Sequence, residues 1–479
     1  MKPGIFLAAS LLAVCAGVEH ASAQSYTTLA SFDGTNGAGP TASLVQSLDG
    51  NFYGATLTGG ANRYGTVFRV TPAGTLTMLH SFKGADGDNP AGSLALDTDG
   101  ALFGTTETGG QTNLGTVFTI TPAGTFNSLY SFCTEAGCPD GSVPAAGLVR
   151  TFDGGFWGTT FLGSNEGGSV FRMTPGAQLS TVYTFCPPAH CALGANPSAA
   201  LVQSTDGNFY GTTEYGGFPP LDGAGGGTVF RITPQGEFDR LYGFCADSAA
   251  CPDGQTPTGG VVEGADGSFY GTTVYGGATS FGTVFNLTTS GALTTLYNFC
   301  SQSGCTDGAN PYAGLTIGTD GNLYGTTSSG GANNRGTIFE ITPTGQFTVL
   351  YSFCAQSGCP DGEAPYGGLL QGTDGNFYGV TYLGGAHGQG AIFKLSMGLG
   401  PFVSLLPVAG SVGTQVKILG TNLTAATSVS FNGIAAPFTV NSRGTAISTS
   451  VPAGATIGTI QVVTPGGTLS SNVAFQVLQ

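Results

Sequence analysis

Between residues 26 and 399 one pattern of apolar and polar positions returns seven times. The hexad Asp-Gly-x-[Phe/Leu]-aromatic-Gly begins at Asp49, Asp99, Asp153, Asp206, Asp266, Asp320 and Asp374, at steps of 50, 54, 53, 60, 54 and 54 residues. A short apolar run precedes each hexad and a Gly-Gly loop follows it. Next come a segment such as Gly65-Thr66-Val67-Phe68-Arg69-Val70, usually a Thr-Pro-x-Gly turn such as Thr71 to Gly74, and an alternating run such as Leu76 to Phe82. A loop, often containing Gly-x-x-Pro, leads to the next repeat. Alternation broken by Gly, Pro and Asp predicts short strands. Each repeat holds four: a before Asp-Gly, b after it, c at the Val-Phe segment and d ending in Phe. Asp-Gly between apolar runs predicts a two-residue hairpin turn, with φ > 0 accepted at both residues. The recurring Asp is therefore read as a turn residue, not a catalytic or calcium-binding one. Asp97 and Asp99 form one Asp-x-Asp-Gly, but no Glu downstream completes a calcium loop.

Four-stranded units at this period predict an all-β fold, a β-propeller. The ends of the array sharpen the expectation. The a-b-c set occurs seven times, the last from about Gly368 to Ser396, and no d strand follows it. A d-like strand, Tyr26-Thr27-Thr28-Leu29-Ala30-Ser31-Phe32, instead precedes the first repeat and matches Phe347 to Phe353. The chain is thus expected to form a seven-bladed propeller over residues 24–396, closed by its N-terminal strand. Closure removes sheet edges that would template aggregation.

These repeats resemble the Gloeo/Verruco tandem-repeat family of exported bacterial proteins over roughly residues 26–399. The resemblance rests on Asp206-Gly207-Asn208-Phe209-Tyr210-Gly211-Thr212-Thr213, on Gly227-Thr228-Val229-Phe230-Arg231-Ile232-Thr233-Pro234, and on their six counterparts. The third repeat departs most, with Trp157 for Tyr and Gly168-Ser169-Val170-Phe171 opening strand c. The family brings no established activity with it.

After Ser396 the period stops. Residues 397–401 read as a linker, and 402–479 carry apolar positions at Val416, Ile418, Val429, Phe431, Ile447, Ile460, Val462, Val473, Phe475 and Val477. Six or seven short strands in a sandwich are expected. The stretch resembles an IPT/TIG immunoglobulin-like domain through Gly413 to Leu423, Val429-Ser430-Phe431-Asn432-Gly433 and Val451-Pro452-Ala453. That resemblance implies a spacer or surface-interaction module.

Composition narrows the partners. The chain has 83 Gly among 479 residues, more than twice the ordinary usage of roughly 7%. Glycine does not recur at every third position, which excludes collagen. A hydrophobic share of 40% excludes disorder. The net charge is −15, with cations scattered singly, so nucleic acid and anionic membranes are not expected partners. Beyond the first residues no apolar run is long enough to cross a membrane as a helix.

Residues 1–23 read as a secretory leader. Lys2 supplies the charge, Ile5 to Val14 the apolar stretch, and Ala21-Ser22-Ala23 the cleavage site before Gln24. Leu12-Ala13-Val14-Cys15 looks like a lipobox but carries Val where Gly or Ala usually precedes the Cys, so plain export is expected. Ten further cysteines fall into five local pairs: Cys133 with Cys138, Cys186 with Cys191, Cys245 with Cys251, Cys300 with Cys305, and Cys354 with Cys359. Even count and local spacing behind a leader argue for disulfides. Zinc would need a second hook beside each pair, and each pair sits in a different repeat. A secreted, extracellular or periplasmic monomer is expected, associated with the cell surface.

Chemistry is sparse. His80, His190 and His387 lie in different repeats, so no His-based triad, metal centre or cofactor site is expected. Similar propellers include streptogramin-lyase-like enzymes, but no residue set here matches theirs. Arg150 and Glu263 share the strand-a position that holds Gln46, Leu96, Gln203, Ile317 and Gln371 elsewhere, and are expected to face the channel. One acid and one base do not make a reaction, so a non-enzymatic protein is expected.

Binding is better supported. Tyr64, Tyr215, Phe218, Tyr275 and Phe281 sit in or beside b–c loops, with Asn62, Asn165, Asn333 and Asn334. The insertion from Phe218 to Gly225 lengthens the fourth of these loops. Aromatic platforms beside amides suit sugar rings, and rigid scaffolds carry function on loops. The expected function is non-catalytic binding of polysaccharide. The alternatives are a structural or protein-binding part of a surface assembly and, third, a propeller hydrolase or lyase.

Overall fold

The computed structural model describes residues 24–163, 166–186, 191–217, 225–246 and 250–478. Residues 1–23, expected to be a leader, and Asn165, His190 and Phe218 lie outside them. The fold is all-β, built mainly of repeated four-stranded antiparallel sheets. In the fifth repeat, strands a to d are Val262–Glu263, Phe269–Thr273, Thr283–Leu287 and Leu293–Asn298, paired in that order. Six repeats supply a whole sheet each. The seventh contributes Leu370–Gln371, Phe377–Thr381 and Ala391–Ser396, and its fourth strand is Ser25–Ser31. That N-terminal strand pairs antiparallel with Ala391–Ser396, as the sequence predicts.

The hexad is explained by local physics. Its Asp accepts a hydrogen bond from the backbone N–H two residues on in every repeat, as Asn208 N to Asp206 Oδ1 at 2.9 Å. Where the fifth residue is Tyr, its hydroxyl donates to the same carboxylate, as Tyr210 Oη to Asp206 Oδ2 at 2.8 Å. Burial, then this bond, pushes the Tyr210 hydroxyl up to about 12. The turn itself corrects the expectation. Only the Gly is left-handed, Gly207 at φ 85°. Gly207 N bonds Ser204 O, and Ser204 N bonds Asn208 O. The loop therefore has three residues, a turn closed by a left-handed glycine.

The final hexad Gly has an ordinary φ and a steric role. In all seven repeats a Cβ there would lie within 2.7 Å of the buried Phe on strand c, as Gly271 facing Phe285. The two threonines that often follow divide their labour. The second pairs with the hydroxyl opening strand c, as Thr273 Oγ1 with Thr283 Oγ1 at 2.9 Å. The first crosses to the next repeat, as Thr272 Oγ1 to Ala313 O at 2.8 Å.

Sheet-to-sheet contacts follow chain order. Phe103 packs on Phe156 at 4.2 Å, Trp157 on Phe209 at 4.0 Å, Tyr210 on Phe269 at 4.0 Å and Tyr324 on Phe377 at 4.1 Å between ring centroids. The same contact joins the seventh repeat to the first, Tyr378 to Phe52 at 4.0 Å. Thr373 N also donates to Gln46 Oε1 at 2.9 Å.

All five cysteine pairs form the disulfides that the sequence predicts, each within a single d–a loop. Cys133 is bonded to Cys138, Cys186 to Cys191, Cys245 to Cys251, Cys300 to Cys305, and Cys354 to Cys359. Nine of these cysteines, Cys138, Cys251 and Cys305 among them, are left-handed, at φ between 46° and 63°. That conformation carries a strain cost outside glycine, and the bridge helps to hold it. In four of these loops a strand-d Tyr donates to an Asp near the loop's end, as Tyr130 to Asp140 at 2.8 Å.

The first repeat's loop has no cysteines, and His80 takes the Tyr's place, with Nε2 3.1 Å from Asp86. Burial holds the His80 pKa below its ordinary value against the pull of Asp86. A depressed folded pKa means stability falls as pH drops below about 6.5, where the unfolded chain takes up the proton more readily. We expect the melting-temperature advantage of His80→Tyr over wild type to widen between about pH 7.5 and pH 5. A constant gap would refute this.

The C-terminal stretch forms two four-stranded sheets and a short parallel pair, ten strands where six or seven were expected. Both sheets feed one core, with Val416, Ile418 and Ile447 from one and Val429, Phe431, Ile460 and Val462 from the other. Val473 instead points to solvent, 42% exposed. This unit rests on the hexad turns of the first repeats. Asn441 Nδ2 and Thr445 Oγ1 donate to Leu48 O at 3.1 and 2.7 Å, and Leu419 enters the core between the first and second sheets. Among the described residues no helix is long and apolar enough to cross a membrane.

Candidate binding site

The d–a loops converge on a cavity of about 310 Å³, lined by segments from all seven repeats. Each segment follows the loop's Pro and is rich in Gly, Ala and hydroxyl residues. Small residues are needed here because neighbouring backbones touch. A methyl on Gly259 would strike the backbone of Gly314. The strand-b threonines hold the segments in register, with Thr105, Thr159, Thr212, Thr272 and Thr326 each bonding a carbonyl of the following repeat.

The residue directly after that Pro breaks the symmetry. It is Thr41, Ala91, Ala145, Ser198 and Thr258 in five repeats but Tyr312 and Tyr366 in the last two. Their rings pack edge to face at 4.9 Å, and Tyr366 meets Tyr382 the same way at 5.4 Å. Tyr275 Oη lies 3.3 Å from Tyr312 Oη. Thr258 Oγ1 fixes the backbone by donating to Tyr312 O at 2.8 Å. Tyr312 and Tyr366 thus line the cavity on the side of the sixth and seventh repeats, and Tyr275 and Tyr382 extend them into a wall of four tyrosines. Burial pushes the Tyr312 and Tyr366 hydroxyls up from a value at which tyrosine is already a protonated donor at neutral pH. Glu107 and Glu214, each directly after the strand-b threonines, have carboxyls raised by burial. Ring faces, hydroxyl donors and backbone acceptors together suit a small ligand that is apolar on its faces and hydroxylated at its edges.

Of the residues singled out from the sequence, Tyr275 joins this wall. Tyr64, Tyr215 and Phe281 are exposed in their b–c loops, 38–41%, outside the cavity lining and without ring contacts among the described residues. The amides thought to accompany them have structural partners. Asn62 donates to Phe82 O and Asn333 to Phe353 O, each at 2.9 Å, while Asn334 Oδ1 accepts from Gly330 N. Arg150 and Glu263 are tied to the preceding repeat. Arg150 Nε donates to Asp97 at 2.7 Å, and Glu263 accepts from Ser204 Oγ, Thr205 N and Thr205 Oγ1 at 2.8–3.0 Å. Among the described residues one cluster, Cys354, Cys359 and Glu363, has metal-ligand donors, and its two thiols are consumed in a disulfide.

The Gloeobacter/Verrucomicrobia repeat family matches residues 18–163, 137–306 and 301–445. The chain belongs to this family. The match runs past the last hexad into the C-terminal unit. No curated protein matches the chain. Among solved structures, a fungal alcohol oxidase of the AA5 family in complex with copper is similar with a TM-score of 0.52 and 15% identity, covering 95% of this chain and 99% of that one. At that identity the likeness is one of fold alone. A gluconolactonase from Xanthomonas campestris has a TM-score of 0.38 and 14% identity over 78% of this chain and 90% of its own. A puromycin hydrolase has 0.46 and 13% over 92% and 61%.

Within this family's repeat, Tyr312, Tyr366 and Tyr382 are the site residues that sequence reasoning missed. A signal was present. Aligning the seven repeats at the loop Pro shows two bulky aromatics where five repeats carry small residues.

Proposed function

We propose that the seven sheets are the blades of a propeller closed by the N-terminal strand over residues 24–396. On this reading residues 402–479, after a linker at 397–401, are an IPT/TIG-like immunoglobulin sandwich. The exported protein binds the ends of polysaccharide chains without transforming them. The tyrosine wall beside the seven-repeat cavity carries the reading. A volume of about 310 Å³ sits at the lower end of small-ligand pockets, which favours a chain end over a long flat stretch. Cyclic contacts between the seventh and first repeats support the propeller. The exposed b–c loop aromatics Tyr64, Tyr215 and Phe281 extend the site for longer chains, and the leader and disulfides support an oxidising compartment.

A glycan array with the oxidised mature protein tests this. Tyr312→Ala and Tyr366→Ala should each weaken binding of short and long glycans by about tenfold or more, as removal of an aromatic anchor at the centre of an interface does. Tyr64→Ala and Phe281→Ala should weaken only long ones. Absence of glycan binding by folded wild type would reject the polysaccharide reading and direct the search to a surface protein.

A further inference from the structure

A second cavity, of about 300 Å³, lies between the C-terminal unit and the strand-a ends of the first, second, third and seventh repeats. Its walls are mostly aliphatic, with Ala95, Leu96 and Leu148 on one side and Leu405, Leu406 and Leu419 on the other. Two polar features interrupt them. Arg150 has a side chain only 14% exposed, with Nε on Asp97 and Nη1 3.5 Å from Thr151 O, while Nη2 has no acceptor among the described residues. Thr373 is 1% exposed, and its Oγ1 is buried without a partner. Two further polar side chains in the lining are committed, since Gln46 accepts from Thr373 N and Gln371 from Thr319 N.

This partly open cavity has twice the volume of an apolar one able to hold benzene, and at about 30 Å³ per water-sized group it takes roughly ten heavy atoms. Along the leucine and alanine walls water finds few hydrogen bonds. The guanidinium spreads five donors in a fixed fork, and much of that fork is free at the cavity's edge. An aliphatic chain with a carboxylate end satisfies both surfaces at once.

We propose that this junction cavity binds a medium-chain fatty acid, its tail between the leucines and its carboxylate on Arg150. The ligand would contact both the repeat array and the C-terminal unit, so its binding would hold the two together.

Calorimetric titration of the full mature protein with hexanoate, octanoate, decanoate and dodecanoate, each below its micelle-forming concentration, tests the assignment. Affinity should rise about fourfold per added CH2 and then flatten once roughly ten heavy atoms fill the space. Ala95→Met fills the cavity from the repeat side and Ser404→Phe from the other, and each should abolish binding while keeping the wild-type melting temperature. Arg150→Lys should weaken decanoate more than decanol. No binding heat for any acid, a rise in affinity without a plateau, or undiminished binding in a folded cavity-filled variant would overturn the proposal.

Discussion

Gly271→Ala is expected to destabilise the protein by about 1–3 kcal/mol, and Gly271→Val by more, although each adds only apolar atoms to a strand. The reason is the partner opposite. A Cβ at Gly271 would lie 2.5 Å from the tip of the Phe285 ring. Phe285 is wholly buried in the core between the fourth and fifth sheets, edge-on to Phe244 at 5.4 Å. The ring cannot move aside, because packed interiors have no spare volume. Backbone conformation plays no part, since Gly271 is not left-handed. Urea unfolding of both variants measures the cost. Pairing Gly271→Ala with Phe285→Leu removes the clashing ring tip, so the double variant should be more stable than the summed single effects predict. Additive effects, or an unchanged Gly271→Ala, would show that the glycine is there for another reason.

That glycine illustrates what the sequence could and could not say. The hexad marked the strands and the places of the turns, though not the turn type, because those are local properties, repeated often enough to average out noise. The disulfides were legible for the same reason, each closing inside one loop. The reason for the final Gly was not legible, because its neighbour Phe285 sits on another strand. The tyrosine wall was missed more deeply. Tyr275, Tyr312 and Tyr366 come from three consecutive repeats, and only side-by-side sheets bring them together. Arg150 and Glu263 were assigned to the channel from their shared register. Both do end strand a, and what the sequence did not show is their partners in the preceding repeat, Asp97 for Arg150 and Ser204 and Thr205 for Glu263, which only the packing of neighbouring sheets supplies. The third repeat shows the limit of motif reading from the other side. Trp157 looked like a departure, yet it stacks on Phe209 as Tyr210 does on Phe269. The position selects a flat ring, and the hydroxyl is an addition anchored by the Asp.

Protein lacking residues 24–32 is expected to lose its cooperative thermal transition and to associate. On the closed-propeller reading this strand is the latch of the ring. It pairs with Ala391–Ser396 from Ser25 to Ser31 and so covers what would otherwise be an open sheet edge. Its Tyr26 stacks on Tyr351 of the sixth sheet at 3.9 Å and donates to Asp361 O. At its end Phe32 is fully buried against Phe68 of the first sheet, 5.0 Å between centroids. One strand therefore joins the sixth, seventh and first sheets, and its two ends are separable by experiment. Phe32→Ala removes the contact to the first sheet and should cost about 3–5 kcal/mol. Tyr26→Phe keeps the stack and loses only a hydrogen bond, so it should cost about 1 kcal/mol. A synthetic peptide spanning residues 24–32, added to the truncated protein, should restore the monomer and its transition by re-forming the same pairing. A truncated protein that stays monomeric and melts as the full chain does would mean the seven sheets are held without the latch, and the offset between the a-b-c sets and the first d strand would then have no structural purpose.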